Sequence, residues 1–234
     1  FLVEVLGGMS RGSGLVFGGD DLNSVFCDGR KYNNNVECME CDPYTDNCPA
    51  MKVFNIKLSQ ISDREMGVDF GEVAPTAITV TGRRRGIGFV LYSDEQTGLS
   101  DREKLSWITS TAIKYNLEEI LADPEERAMR NMLDEMGYIV PNIWANSAGG
   151  GAKRMYVSNV KRYVEKRHMF VPKKFDYLRK SVYGLGYDDR GNIMKRNDHS
   201  FDSLLYSMIY YDVVEDGGSF YDSIKGRRTT TIWS

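Results

Sequence analysis

At 234 residues the chain can form one substantial domain, or one domain with a small appendage. Its 41% hydrophobic and 27% charged residues are ordinary for a globular protein. No apolar run approaches the roughly 18 residues of a membrane-crossing helix, and ten Phe with fourteen Tyr are too many core-forming side chains for a wholly disordered chain. The formal charge of −3 argues against a protein that simply coats nucleic acid, yet residues 151–180 carry ten Lys and Arg against Glu165 and Asp176, a net +8 that leaves −11 for the rest. Such a block is either one face for a polyanion or a solvated helix face.

Phe1-Leu-Val-Glu-Val-Leu lacks the positively charged start of a secretion signal and reads as the continuation of a longer polypeptide. Residues 1–22, rich in glycine, read as a connector with an extended segment near 15–17. Residues 23–50 have few large aliphatic side chains and many Asn, Asp and Cys, and read as a Cys-containing insertion. From Met51 to Ser234 the pattern is that of a regular α/β domain.

Within it, residues 65–71, 76–81 and 86–91 read as three strands in an antiparallel meander, because the links are short and the residues apolar or β-branched. A helix is predicted over 101–115, with Ser100 as N-cap and Glu103 completing a capping box. Residues 118–123 read as a short strand stopped by Pro124, and 125–136 as a helix with Ala128, Met129, Met132, Leu133 and Met136 at helical spacing before Gly137. Residues 138–144 are a further strand candidate. Met155, Val157, Val160, Tyr163 and Val164 form the apolar stripe of a helix whose other face is the basic block. Residues 183–194 suggest a hairpin turning at Asp189-Arg-Gly-Asn. Residues 198–213 close the core as a helix through Phe201, Leu204, Leu205, Met208 and Ile209, capped by Asp198 or Asn197. The order predicts an α/β, ribonuclease H-like mixed sheet flanked by helices.

Three carboxylates stand at the ends of these elements. Asp69 lies in the apolar strand Val68-Asp-Phe-Gly, where an unpaired charge needs a partner, a hydrogen-bond cage or a metal. Asp123 ends another apolar strand, and Asp202 shares a helix face with His199 three residues before it. Each has a plain alternative: a turn-forming Asp69, a strand-ending Asp123, a solvated Asp202. In a ribonuclease H-like sheet, however, the first and fourth strands are neighbours and the last helix crosses their ends. The three acids would then converge as hard oxygen ligands of the kind that Mg²⁺ or Mn²⁺ takes. His199 is a candidate to ligate metal or move a proton.

These residues resemble the C-terminal nuclease domain of the large terminase subunit of tailed bacteriophages. Phe1-Leu-Val-Glu-Val-Leu-Gly-Gly with Gly14-Leu-Val-Phe is similar to the junction after that family's ATPase domain. Gly67-Val-Asp-Phe-Gly with Pro75-Thr-Ala-Ile, Ala122-Asp-Pro-Glu-Glu-Arg and Asn197-Asp-His-Ser-Phe-Asp-Ser-Leu-Leu-Tyr resemble its three acidic motifs, with Ser203 where Ala is usual.

The resemblance implies a metal-dependent endonuclease that cuts concatemeric double-stranded viral DNA during packaging. It implies two divalent cations, Mg or Mn, held by Asp69, Asp123, Asp202 and His199. Phosphate contacts would come from the stretch Gly149-Gly-Gly-Ala-Lys-Arg and the helix after it, through Lys153, Arg154, Lys161 and Arg162. Arg83-Arg-Arg and Arg227-Arg read as surface charge runs or as further DNA contacts. The resemblance also implies an upstream ATPase domain, since no Gly-x-x-x-x-Gly-Lys-Ser/Thr motif is present. The other implied partners are a portal and a small terminase subunit, and the implied compartment is the cytoplasm of the infected host cell.

Cys27, Cys38, Cys41 and Cys48 fall within 22 residues and the rest of the chain has none. One Cys-x-x-Cys flanked by single cysteines fits a structural Zn²⁺ site, free thiols or disulfides. Two rival functions stay open: an actin- or sugar-kinase-like phosphotransferase, suggested by Asp69-Phe-Gly, and a non-catalytic DNA-binding module of the same fold.

Overall fold

The computed structural model describes residues 14–27, 57–71, 74–84, 86–143, 151–191, 193–194 and 198–211. In chain order the elements are α1 (Gly19–Val25), β1 (Phe26–Cys27), a 3-10 turn (Leu58–Gln60), β2 (Ser62–Asp69), β3 (Thr76–Arg84), β4 (Ile87–Gln96), α2 (Asp101–Tyr115), β5 (Ile120–Ala122), α3 (Arg127–Glu135), α4 (Gly151–Glu165), β6 (Met169–Pro172), α5 (Asp176–Gly184) and α6 (His199–Ser207). The meander β2–β4 is antiparallel as expected. β5 adds in parallel beside β2, while β6 and then β1 add in parallel beyond β4, giving the order β1-β6-β4-β3-β2-β5. This is the mixed sheet of a ribonuclease H-like fold.

Strand alternation sorts the side chains into two layers. Met66, Val68, Ile78 and Val80 point to one face, where Ile108 and Ala112 of α2 and Met129 and Leu133 of α3 cover them. On the other face Val90 and Leu121 join a core built from α1, α4, α5 and α6. α2 starts where the sequence says it should. The Ser100 side chain accepts from the Glu103 amide, and the Glu103 carboxylate accepts from the Ser100 amide at 2.8 Å.

α6 positions the site, and it is the most enclosed of the described helices. Residues Ser200 through Ser207 are all buried, and the helix lies across β2 and β3. It comes this close because Gly67 has no side chain: a Cβ there would collide with the Ser203 carbonyl oxygen and lie 2.5 Å from the Ser207 amide nitrogen. The seam is small and polar. Ser203 Oγ is hydrogen-bonded to Thr79 Oγ1 at 2.7 Å and donates to the Ser200 carbonyl at 2.9 Å, and Thr81 Oγ1 donates to the Ser207 carbonyl at 3.0 Å.

Several elements differ from expectation. The boundary drawn between residues 22 and 23 falls inside α1, and Val16, Phe17, Leu22, Val25 and Phe26 are buried in the core. β6 and α5 were not foreseen, because four apolar residues between His168 and Lys173-Lys174 are lost in the surrounding charge.

Of the strand expected over 138–144, the described residues 138–143 make a single bridge, from Ile139 to Glu119; Pro141, two residues on, has no amide to continue a ladder. Among the described residues the hairpin expected over 183–194 likewise makes one bridge, Tyr187 to Ile193. Its turn runs from Asp188 to Gly191, closed by the Gly191 amide, while Tyr183 belongs to α5. α6 stops at Ser207 rather than 213. α3 buries only Met129 and Leu133, so Ala128, Met132 and Met136 stay exposed. On α4 Met155 is exposed and Tyr156 takes its place in the core. Arg83, expected in a surface charge run, lies over the Tyr211 ring at 4.7 Å. Cys27 lends backbone to β1; its side chain and Cys38, Cys41 and Cys48 lie outside the described residues.

Candidate active site

The parallel register of β2 and β5 pairs Met66 with Ile120, Gly67 with Leu121 and Val68 with Ala122. The Asp123 amide donates to the Val68 carbonyl at 3.0 Å. Asp69 and Asp123 therefore stand next to each other at the carboxyl ends of neighbouring strands. By alternation both share the face that Gly67 turns toward α6. Asp123 is fixed by its own turn, its Oδ1 accepting from the Glu125 amide at 2.9 Å, so its turn-forming role and its place at the site coexist.

α6 supplies the opposite wall. His199 Nδ1 lies 2.8 Å from Asp69 Oδ2, and since an ionised carboxylate only accepts, Nδ1 carries the proton. Asp202, one turn along, is buried and receives a charge-assisted hydrogen bond from Lys153 Nζ at 2.6 Å. Lys153, in the first turn of α4, also lies 3.6 Å from Asp198 Oδ2. Asp198 occupies the N-cap position of α6 yet makes no side-chain cap bond, which corrects the capping role expected for it; Asn197 lies outside the described residues. Glu95, near the end of β4, accepts from Ser200 Oγ at 2.8 Å.

The charges act on one another. Burial pushes the Asp69 carboxyl above its ordinary range, the His199 bond opposes this, and repulsion from Asp123 and Asp198 adds to the rise. Burial pushes Asp202 up to about 7 against the pull of Lys153. The bond to Asp69 holds His199 above its ordinary 6.5 despite burial, helped by the charges of Asp69, Asp198 and Glu95. Burial pulls the Lys153 ammonium down, but Asp202, Asp198 and Asp69 together outweigh it and leave it raised.

The fit to a divalent cation rests on the donor set. Asp69, Asp123 and Asp202 are hard oxygen donors, and two acceptors, Asp202 Oδ1 and Asp198 Oδ2, are buried without a hydrogen-bond partner. Among the described residues no three His, Cys, Asp or Glu side chains are drawn tightly enough together to enclose an ion as they stand. His199 and Lys153 hold the acids instead.

The remaining expected phosphate contacts divide. Lys161 pairs with Glu165 at 3.7 Å and Arg162 is exposed, both away from the acids' immediate partners. The Arg154 side chain and Gly149-Gly150 lie outside the described residues. Asp198 and Glu95 were not expected in the site. Asp198 was hidden by its cap-like position, and Glu95 by a strand read as ending at Leu91, though β4 runs five residues further.

The sheet order and the acids at the ends of β2 and β5 define a ribonuclease H-like fold with an acidic site against its last described helix. Among solved structures the chain is similar to the P22 large terminase nuclease domain, with a TM-score of 0.59 and 14% identity over 86% of this chain and 93% of that one. It is also similar to the large terminase nuclease of thermophilic phage G20c (TM-score 0.54, 18% identity, 64% of this chain and 82% of that one). Against the large terminase of a second thermophilic bacteriophage the TM-score is 0.59 at 15% identity over 83% of this chain, and the match covers 44% of that protein's length. The chain thus has the fold of large-terminase nuclease domains. The G20c nuclease has also been solved with bound magnesium and with bound zinc. No protein-family profile and no curated protein matches the sequence.

Proposed function

We propose that this domain is a metal-dependent endonuclease that cuts double-stranded, concatemeric viral DNA during genome packaging in the infected cell. The observation that carries the reading is the β2–β5 register, which sets Asp69 and Asp123 side by side beneath the helix that bears His199 and Asp202. The named folds around it, all large-terminase nucleases or large terminases, support the same reading. A neighbour longer than this chain, solved also with ADP, supports an ATPase portion working with this domain; portal and small terminase subunits are the further partners that this reading entails.

Asp69, Asp123 and Asp202 would hold two divalent cations, which supply Lewis-acid activation of water and of the scissile phosphodiester. The chain's own residues set the rest. β2 and β5 fix two carboxylates on rigid strand ends, so their spacing does not depend on loop motion. Asp69 orients the His199 ring and keeps a proton on Nδ1, leaving Nε2 as the position that exchanges protons with water or a leaving group. Exposed cations of α4, Arg162 among them, would meet the DNA backbone, a contact that carries no base information.

The test is cleavage of supercoiled plasmid with Mn²⁺, Mg²⁺ or EDTA, alongside Asp123→Ala. Nicking and linearisation that need metal and disappear in Asp123→Ala are expected. Equal cutting by the mutant, or a folded wild type inert with both metals, would refute the reading.

A further inference from the structure

Lys153 was expected on phosphate, with the other cations of the basic block. The structure places its ammonium inside the acidic cluster, 2.6 Å from Asp202 Oδ2 and 3.6 Å from Asp198 Oδ2. Other cations of α4 behave as surface groups: Lys161 makes an i,i+4 pair with Glu165, and Arg162 is exposed.

The ammonium is an incomplete partner for these acids. It reaches one oxygen of Asp202 and leaves Oδ1 of the same carboxylate buried without a hydrogen bond. An ammonium offers three donors from a single point, whereas a hard divalent ion gathers six or more oxygens around itself. Lys153 is also the group able to leave. Its side chain is 28% exposed, against 12% for Asp202, and it sits on a flexible four-carbon stem. The acids sit on a buried helix, so the lysine is what moves.

We propose that Lys153 is a tethered counter-cation: it occupies the cation position beside Asp202 and Asp198 while no metal is bound, and withdraws when a divalent ion enters. The domain thereby stays folded without metal, and metal loading is held back by a competitor built into the chain. The identity of the incoming ion rests on the nuclease reading above. If the withdrawn arrangement is about a tenth or less of the metal-free population, apparent affinity is lowered by at least that factor.

The test is calorimetric titration of Mn²⁺ into EDTA-stripped, dialysed protein, without DNA, for wild type, Lys153→Met and Lys161→Ala, with thermal melts in EDTA and in Mn²⁺. Lys153→Met is expected to bind Mn²⁺ about tenfold or more tightly than wild type. Its melting temperature should fall in EDTA and recover in Mn²⁺. Lys161→Ala, which removes the same charge from the same helix, should stay within about twofold in affinity. Where Lys153→Met melts below the assay temperature, Lys153→Gln carries the same comparison.

Unchanged or weaker Mn²⁺ affinity in the folded Lys153 variant overturns the proposal, as does an equal gain in Lys161→Ala. Wild type that binds Mn²⁺ while the Lys153 variant gains nothing defeats this inference alone. Absence of Mn²⁺ binding in every variant defeats the metal-dependent reading and this inference with it.

Discussion

Gly67→Ala is the sharpest test of how the fold builds the site. The added methyl would collide with the Ser203 carbonyl oxygen and lie 2.5 Å from the Ser207 nitrogen and 2.9 Å from the Ser203 carbonyl carbon. These are backbone atoms of a helix buried along almost its whole length, so no side chain can rotate away and α6 must lift as a body. Overpacking of a core costs about 1–3 kcal/mol, and a rigid backbone obstacle belongs at or above the top of that range. At roughly 2–4 °C per kcal/mol for a domain of this size, the melting temperature should fall by about 6–12 °C.

The same displacement carries His199 and Asp202 away from Asp69, so metal-dependent plasmid cutting should drop at temperatures where the variant is still folded. Circular-dichroism melts and the cutting assay are run beside Gly19→Ala, a helical glycine with no heavy atom within 4 Å of a built Cβ; this control should be neutral or slightly stabilising. A Gly67→Ala protein that melts within about 2 °C of wild type would show that α6 is not seated by this contact.

Two further expectations concern stability. Asp202, raised from 3.8 to about 7, holds its proton more tightly in the folded state, so its contribution is present below 3.8 and lost as pH rises towards 7. His199, raised above 6.5, works in the same direction: its contribution is full below 6.5 and is lost as pH rises through the folded value. Metal-free protein should therefore melt lower at pH 8 than at pH 5, and Asp202→Asn should flatten much of that slope; a melting temperature that climbs across this window contradicts the assignment. Ser100→Ala should remove the capping box of α2 for about 1 kcal/mol, read as a denaturant-midpoint shift with unchanged m-value, and no shift would mean the cap is energetically idle.

The elements that were legible in the sequence are those whose burial is one-sided or bounded by strong signals. β2 to β4 show alternation or β-branched runs, and α2 has its capping box and Asn116 in the left-handed conformation at its end. The elements missed are those whose stability is entirely tertiary. β1 is two residues long and exists because β6 offers it an edge, and β6 is four apolar residues amid charge. The three acids and His199 were readable because strand ends and helical spacing fix their relative positions. The pairing of Lys153 with Asp202 was not legible, because one-dimensional charge counting groups it with Lys161 and Arg162. Only the packing of α4 against α6 turns it inward, and no residue spacing records which way that first turn faces.

The position of α6 along the chain has a consequence in time. Asp69 and His199 are separated by 130 residues, so at roughly 5–20 residues per second a ribosome releases the first on the order of ten seconds before the second. Through that interval a nascent chain carries Asp69 and then Asp123 on a sheet with one wall missing. When α6 arrives it fills the space over β2 and β3 and sets His199 and Asp202 opposite the waiting acids in one docking event. The core on that face and the site are completed together, and a copy cut short before residue 198 keeps only the core beneath α2 and α3.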